Sequence, residues 1–136
     1  MKVRIIRLLF IIFIISIFMS PKQNIRADIG GRPIVGVASW YAEFSPGINK
    51  TTANMEIFDH DGMTCAIWRI PFDTILKVTN LENSKAVYVR VNDRGPAKRL
   101  VEDGRVIDLT RRSFEKIEDL DKGLAKVKVE VISHPR

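Results

Sequence analysis

Val87-Tyr88-Val89-Arg90-Val91-Asn92-Asp93-Arg94-Gly95-Pro96 decides how the chain is read. Val87, Val89 and Val91 alternate with Tyr88 and Arg90, the period-two pattern of a strand with one buried face. The run then breaks into a polar Asn-Asp-Arg-Gly-Pro turn. Working outward, similar short β segments are expected at residues 35–41, 64–66, 75–80, 86–92, 105–109 and 124–132. The last is the clearest, because Val127, Val129 and Val131 alternate with Lys126, Lys128 and Glu130. Thr110 can cap a helix over residues 111–120 with Phe114, Ile117 and Leu120 on one side, and Gly123 can end the turn after it. Short strands, Gly/Pro turns and one or two short helices predict a mainly-β closed barrel.

The 136 residues leave room for one domain. Residues 1–27 are read as a signal peptide or signal anchor. A basic start (Lys2, Arg4, Arg7) leads into a run over 8–19 that only Ser16 interrupts, short of the roughly 20 residues that span a bilayer. Residues 28–34 are read as linker, 35–132 as the domain and 133–136 as a tail. Export to the periplasm or cell envelope is expected, with membrane contact only through an uncleaved leader. Cys65, the one cysteine, lies too far from the leader for lipid attachment and excludes an internal disulfide. The net charge of +6 comes mostly from five basic residues within 1–27, so the domain has no basic excess that would mark a nucleic-acid partner.

Two carboxylates stand out. Asp93, at the end of a strand and beside Arg94, is either a turn former or an exposed acid. Glu56, in Thr52-Ala53-Asn54-Met55-Glu56-Ile57-Phe58, is either a second acid or a solvated residue on a short helical turn with Ile57 and Phe58 facing inward. Trp40, Tyr41, Phe44 and Trp68 are either sugar-stacking rings or core. As strand neighbours, Trp40 and Tyr41 face opposite sides, with Tyr41 placed near a groove. Asp108 is read as satisfying buried backbone or Arg groups, and Cys65 as a small core residue.

Gly36-Val37-Ala38-Ser39-Trp40-Tyr41, Thr52-Ala53-Asn54-x-Glu56-x-Phe58-Asp59, Val78-Thr79-Asn80-Leu81-x-Asn83, Val89 to Pro96, and Val106-Ile107-Asp108-Leu109 follow one another in the order and spacing of the rare lipoprotein A (RlpA) family. From about Val35 to Ile132 the sequence resembles that family's endolytic peptidoglycan transglycosylases. The resemblance implies a six-stranded double-psi β-barrel, related to expansins, with an open groove for a peptidoglycan glycan strand lacking stem peptides. It implies cleavage that leaves a 1,6-anhydro-N-acetylmuramic acid end, with no cofactor and no metal. It places the catalytic pair on Asp93 and Glu56, and we expect Asp93 to be the acid/base. Tyr41, Asn92, Arg94 and His60 are the candidate substrate-binding residues.

The sequence departs from the family pattern in two places that bear on the site. Ile67 stands where the family usually has a histidine, and Met55 stands where it usually has a glycine. The missing histidine motivates an alternative, a noncatalytic, expansin-like wall-binding or wall-loosening barrel, in which Ile67→His would gain activity. If Asp93 and Glu56 share a partly desolvated groove, each raises the other's pKa, and activity is bell-shaped on the acid side of neutrality. His60→Gln should then keep the profile.

Overall fold

The computed structural model describes residues 31–136; residues 1–27, read above as a signal peptide or anchor, and residues 28–30 of the segment read as linker lie outside them. Six strands form: β1 (Ile34–Tyr41), β2 (Thr64–Ala66), β3 (Ile75–Asn80), β4 (Ala86–Asp93), β5 (Arg105–Thr110) and β6 (Leu124–Ser133). They close into a barrel in the order β1-β5-β2-β4-β3-β6. β1 runs parallel to β5 and β2 parallel to β4, while the other neighbours are antiparallel. Two parallel pairs within a closed, otherwise antiparallel sheet make the expected double-psi β-barrel, and closure leaves no strand edge unpaired.

Strand alternation builds the core. Leu76 and Val78 of β3, Val87, Val89 and Val91 of β4, and Val127 and Val129 of β6 are buried together, and Cys65 lies among them. Each large aliphatic side chain buried in this way contributes about 1.5–3 kcal/mol. Trp40 packs against this core and donates its indole N–H to the Leu120 carbonyl at 3.1 Å. Tyr41 turns the other way, into a second cluster with Phe58 and Ala66. Gly36 marks where β1 meets β5: a Cβ there would collide with Val106 Cγ1 and lie 2.8 Å from the Gly104 carbonyl.

Helix α1 (Lys98–Glu102) buries no residue, and so left no apolar period to read. The helix expected over 111–120 is real but shorter: α2 (Arg111–Glu115) is followed by a turn and a 3₁₀ segment at Leu120–Lys122. Thr110 caps it, accepting from the Ser113 N–H. The α-helical pattern gives way at its C-terminal end to i→i−3 bonds, from the Lys116 N–H to Ser113 and from the Ile117 N–H to Phe114, and beyond it the Ile117 carbonyl accepts from two side-chain amides, Asn80 Nδ2 and Asn83 Nδ2, each at 2.9 Å. Those asparagines thereby tie the end of β3 and the β3–β4 turn to the segment that follows α2. Gly123, left-handed at φ 68°, ends the 3₁₀ segment.

A second correction concerns Ile57, which is 84% exposed while Phe58 is buried. The segment is not helical. A turn over residues 52–56 is closed by an isolated bridge between Thr51 and Ile57, and past it Ile57 and Phe58 face opposite sides.

Candidate functional site

A β-bulge organises the site. In the β2–β4 pairing Cys65 faces Val91 and Ala66 faces Asp93, so Asn92 is the extra residue. The bulge buries Asn92 next to Val91, breaking the alternation, and re-aims Asp93. Asp93 Oδ1 accepts two backbone N–H groups, from Ala53 at 2.9 Å and from Arg94 at 2.8 Å. Among the described residues Oδ2 receives no hydrogen bond. Asp93 and Arg94 line an open cleft of about 360 Å³ together with Ile48, Asn49, Thr51 and Phe58.

Glu56 sits on a tight turn in which Thr52 N–H donates to the Glu56 carbonyl at 2.8 Å. Its carboxylate is fully engaged. Arg90 donates to both oxygens, Nη1 to Oε1 at 2.7 Å and Nη2 to Oε2 at 2.9 Å; Asn54 Nδ2 donates to Oε1 at 2.8 Å and Asn92 Nδ2 to Oε2 at 3.1 Å. The paired guanidinium bonds, helped by the two amides, hold its pKa down at about 2. The mutual elevation expected of the carboxylates is thus corrected at Glu56. It is held ionised, and it does not line the cleft, although its neighbour Met55 does.

The other candidates divide. Arg94 lines the cleft, but its Nη1 caps the Ile67 and Ile70 carbonyls at 3.1 and 2.9 Å, and its guanidinium lies 3.8 Å over the Phe72 ring. Asn92 is buried and orients Glu56. Tyr41 is only 7% exposed, with its ring stacked at 4.7 Å on Phe58, so it supports the cleft floor from below instead of offering an open stacking face. His60 stands apart from the cleft lining: its Nδ1 accepts the Glu43 N–H at 3.3 Å, and Phe44 meets its ring edge-on at 5.9 Å. Trp68 donates its indole N–H to the Pro96 carbonyl at 2.6 Å, bracing the strand-end turn. Sequence reasoning missed Arg90, whose only signal was an arginine among valines on a strand. Among the described residues no group of three or more His, Cys, Asp or Glu is placed to hold a metal ion.

The family model for lytic transglycolases matches residues 34–129. The chain belongs to the lytic transglycolase family. It is 43% identical over 103 residues to the endolytic peptidoglycan transglycosylase RlpA of Campylobacter jejuni, covering 75% of this chain and 35% of that protein. It is 44% identical over 98 residues to the protein of the same name from Vibrio cholerae, covering 72% of this chain and 35% of that one. For that of Pseudomonas aeruginosa the figures are 46% over 99 residues, 73% and 27%. The chain therefore spans about a third or less of the length of these curated relatives. Among solved structures, the Streptomyces papain inhibitor is similar at a TM-score of 0.59 and 21% identity, covering 78% of this chain and 98% of that one. An expansin of Clavibacter michiganensis is similar at 0.55 and 22%, covering 76% and 52%. At these identities the likeness is one of fold, which carries no single chemistry.

Both departures of this lytic transglycolase domain now have a physical reading. Met55 has φ 72°, the left-handed region that glycine tolerates, so the turn is kept at the expense of strain. That region costs a β-substituted residue about 1–2 kcal/mol, and glycine's greater freedom in the unfolded chain offsets about half. Because the side chain is 78% exposed and has little packing to lose, Met55→Gly is expected to stabilise the domain by about 0.5–1 kcal/mol in urea unfolding. A fall in stability would show that the methionine makes contacts worth more than the strain.

Ile67 is 2% exposed and belongs to the main core. An imidazole there would lose apolar packing and bury polar nitrogens. Ile67→His is therefore expected to destabilise the fold by about 2–4 kcal/mol, read as a lower urea midpoint, with no gain of activity. Unchanged stability would show that the position opens to solvent.

Proposed function

We propose that this domain cleaves peptidoglycan glycan strands lacking stem peptides by lytic transglycosylation, with Asp93 as the acid and then the base. The observation that carries the reading is the geometry of Asp93. One oxygen is clamped by two backbone N–H groups, the other has no donor among the described residues, and the residue lines an open cleft. Protonated Asp93 gives its proton to the glycosidic oxygen as the bond from that oxygen to muramoyl C1 breaks. The C6 hydroxyl oxygen attacks C1 and its proton passes to the Asp93 carboxylate, which restores the acid and leaves a 1,6-anhydro ring. No water enters the product.

Glu56 serves as a fixed anion beside the cleft and anchors the turn whose Ala53 N–H holds Asp93. The absence of the family histidine does not leave the carboxylates unoriented, because Arg90, Asn54, Asn92 and the backbone hold them. The names of the relatives support the substrate class. Such a substrate requires export, for which the leader at 1–27 is suited. The test is to incubate the purified chain with amidase-treated sacculi and identify the products by mass spectrometry. Anhydro-ended glycans are expected. Reducing ends would mean hydrolysis, and binding without any product would support the noncatalytic alternative.

A further inference from the structure

Ile57 is 84% exposed although the backbone around it is firmly held. The Thr51–Ile57 bridge, the Phe58 N–H on the Lys50 carbonyl at 2.9 Å and the Thr52 N–H on the Glu56 carbonyl at 2.8 Å fix it in place. One exposed aliphatic side chain is ordinary on a protein surface. This one lines a second open cleft, of about 350 Å³, together with Glu43, Ile48, Asn49, Lys50 and Phe58.

The second cleft is continuous with that of Asp93, because Ile48, Asn49 and Phe58 line both. Phe58 is 5% exposed and rests on the Tyr41 ring, so what the clefts share at this residue is floor and not a dividing wall. The turn over 52–56 serves both: Met55 before Glu56 lines the Asp93 cleft, Ile57 after it lines the second, and Glu56 itself is turned to Arg90. A glycan strand is a polymer, so a strand seated at Asp93 has to continue out of that cleft. The second cleft gives it a path.

The lining also selects which part of a strand it suits. Apolar contact comes from the aliphatic side chains of Ile48 and Ile57 around the buried Phe58, and none of the lining residues offers an exposed aromatic face on which a flat sugar ring could stack. Such a surface fits a methyl group. The acetamido group borne by each saccharide of peptidoglycan supplies one, joined to an amide that can meet the donors of Asn49 and Lys50 and the carboxylate of Glu43. An apolar patch with a few polar groups beside it is the usual make-up of a small-ligand site. We infer that the second cleft is a subsite for an N-acetylated saccharide flanking the one at Asp93, with Ile57 as the specificity-determining contact for its acetamido methyl. The inference rests on the reading that a peptidoglycan glycan strand occupies the Asp93 cleft.

The test uses the whole chain carrying Asp93→Asn, which removes the acid, with its isoleucine δ1 methyls ¹³C-labelled for NMR. A β-1,4-linked N-acetylglucosamine hexamer should shift the Ile57 methyl resonance. A β-1,4-linked glucose hexamer, which lacks the acetamido group, should bind about tenfold or more weakly. Adding Ile57→Gln should weaken binding of the N-acetylated hexamer about tenfold at an unchanged urea midpoint, whereas Ile132→Gln, at a 52% exposed position of β6, should leave binding as it was. In the product assay, Ile57→Gln alone should raise KM and leave kcat unchanged. An N-acetylated hexamer that does not bind, an Ile57 methyl that ignores it, equal affinity for the two hexamers, or undiminished binding by the Ile57 variant overturns the inference. If binding follows the expectation but the unsubstituted chain forms no anhydro product, the proposed function fails and the subsite stands. If anhydro product forms with a KM indifferent to Ile57→Gln, the subsite fails and the reaction stands.

Discussion

Changing Asp93 to asparagine lowers the release of anhydro-ended glycans from stem-peptide-free sacculi by about 10²–10⁴-fold, the usual contribution of a positioned general acid–base group. The substitution is nearly isosteric. Asparagine Oδ1 can still accept the Ala53 and Arg94 N–H groups, so the turn and the urea midpoint should change little. What is lost is the oxygen that carries the proton. Glu56→Gln is expected to be milder, about tenfold, because it loosens the Arg90 clamp without removing the acid. The reverse ranking, with the Glu56 variant inactive and the Asp93 variant retaining a tenth or more of the rate, would move the proton transfer to Glu56.

Arg90→Leu has the second large effect, and it is read in two ways. Arg90 bridges Glu56 and Asp73, the latter at 2.8 Å, so its removal frees both carboxylates and lets the turn bearing Glu56 shift. Misplacement of that turn should lower the rate by about 10- to 100-fold. At neutral pH the fold should lose only about 1 kcal/mol, since the side chains of Arg90 and Glu56 are 33% and 39% exposed and solvent screens the pair.

The pH dependence gives the sharper signature. The clamp depresses the Glu56 pKa from its ordinary 4.5 to about 2, so its stabilisation is fully present above about 4.5 and is lost as pH falls toward 2. Urea unfolding at pH 7, 4.5 and 3 should therefore show the difference between wild type and Arg90→Leu shrinking as the solution becomes more acid. A difference that stays constant across this window would mean that the clamp contributes packing and no charge pairing.

Much of the barrel was legible beforehand because a strand's inward face is a local property. Val87, Val89 and Val91, like Val127 and Val129, declare their burial through alternation with polar neighbours, whatever they pair with. Thr110 and Gly123 mark their boundaries for equally local reasons, a side-chain acceptor for a helix N–H and a tolerated positive φ. Where a local pattern was forced onto an irregular segment the reading failed. Ile57 was expected to face inward with Phe58 because a helical turn was assumed, whereas the turn is closed by the Thr51–Ile57 bridge, which leaves Ile57 outside. The helix from 111 gave way early to i→i−3 turns at Lys116 and Ile117, and Asn80 and Asn83, more than thirty residues away, hold the Ile117 carbonyl beyond its end.

The division is clearest at the site. The residue types and their order alone determined the strands, the turn after β4 and the two carboxylates to suspect, since these depend on side-chain chemistry and near neighbours. Only the tertiary structure decided what each carboxylate can do. The β2–β4 bulge sends Asn92 inward, and strand closure brings Arg90 onto Glu56 across 34 residues of sequence and lays Gly95 against Asp108. A pKa is set by the charges and donors within a few ångströms of a group, and in a barrel with two crossed parallel pairs those neighbours come from strands that are far apart in the chain.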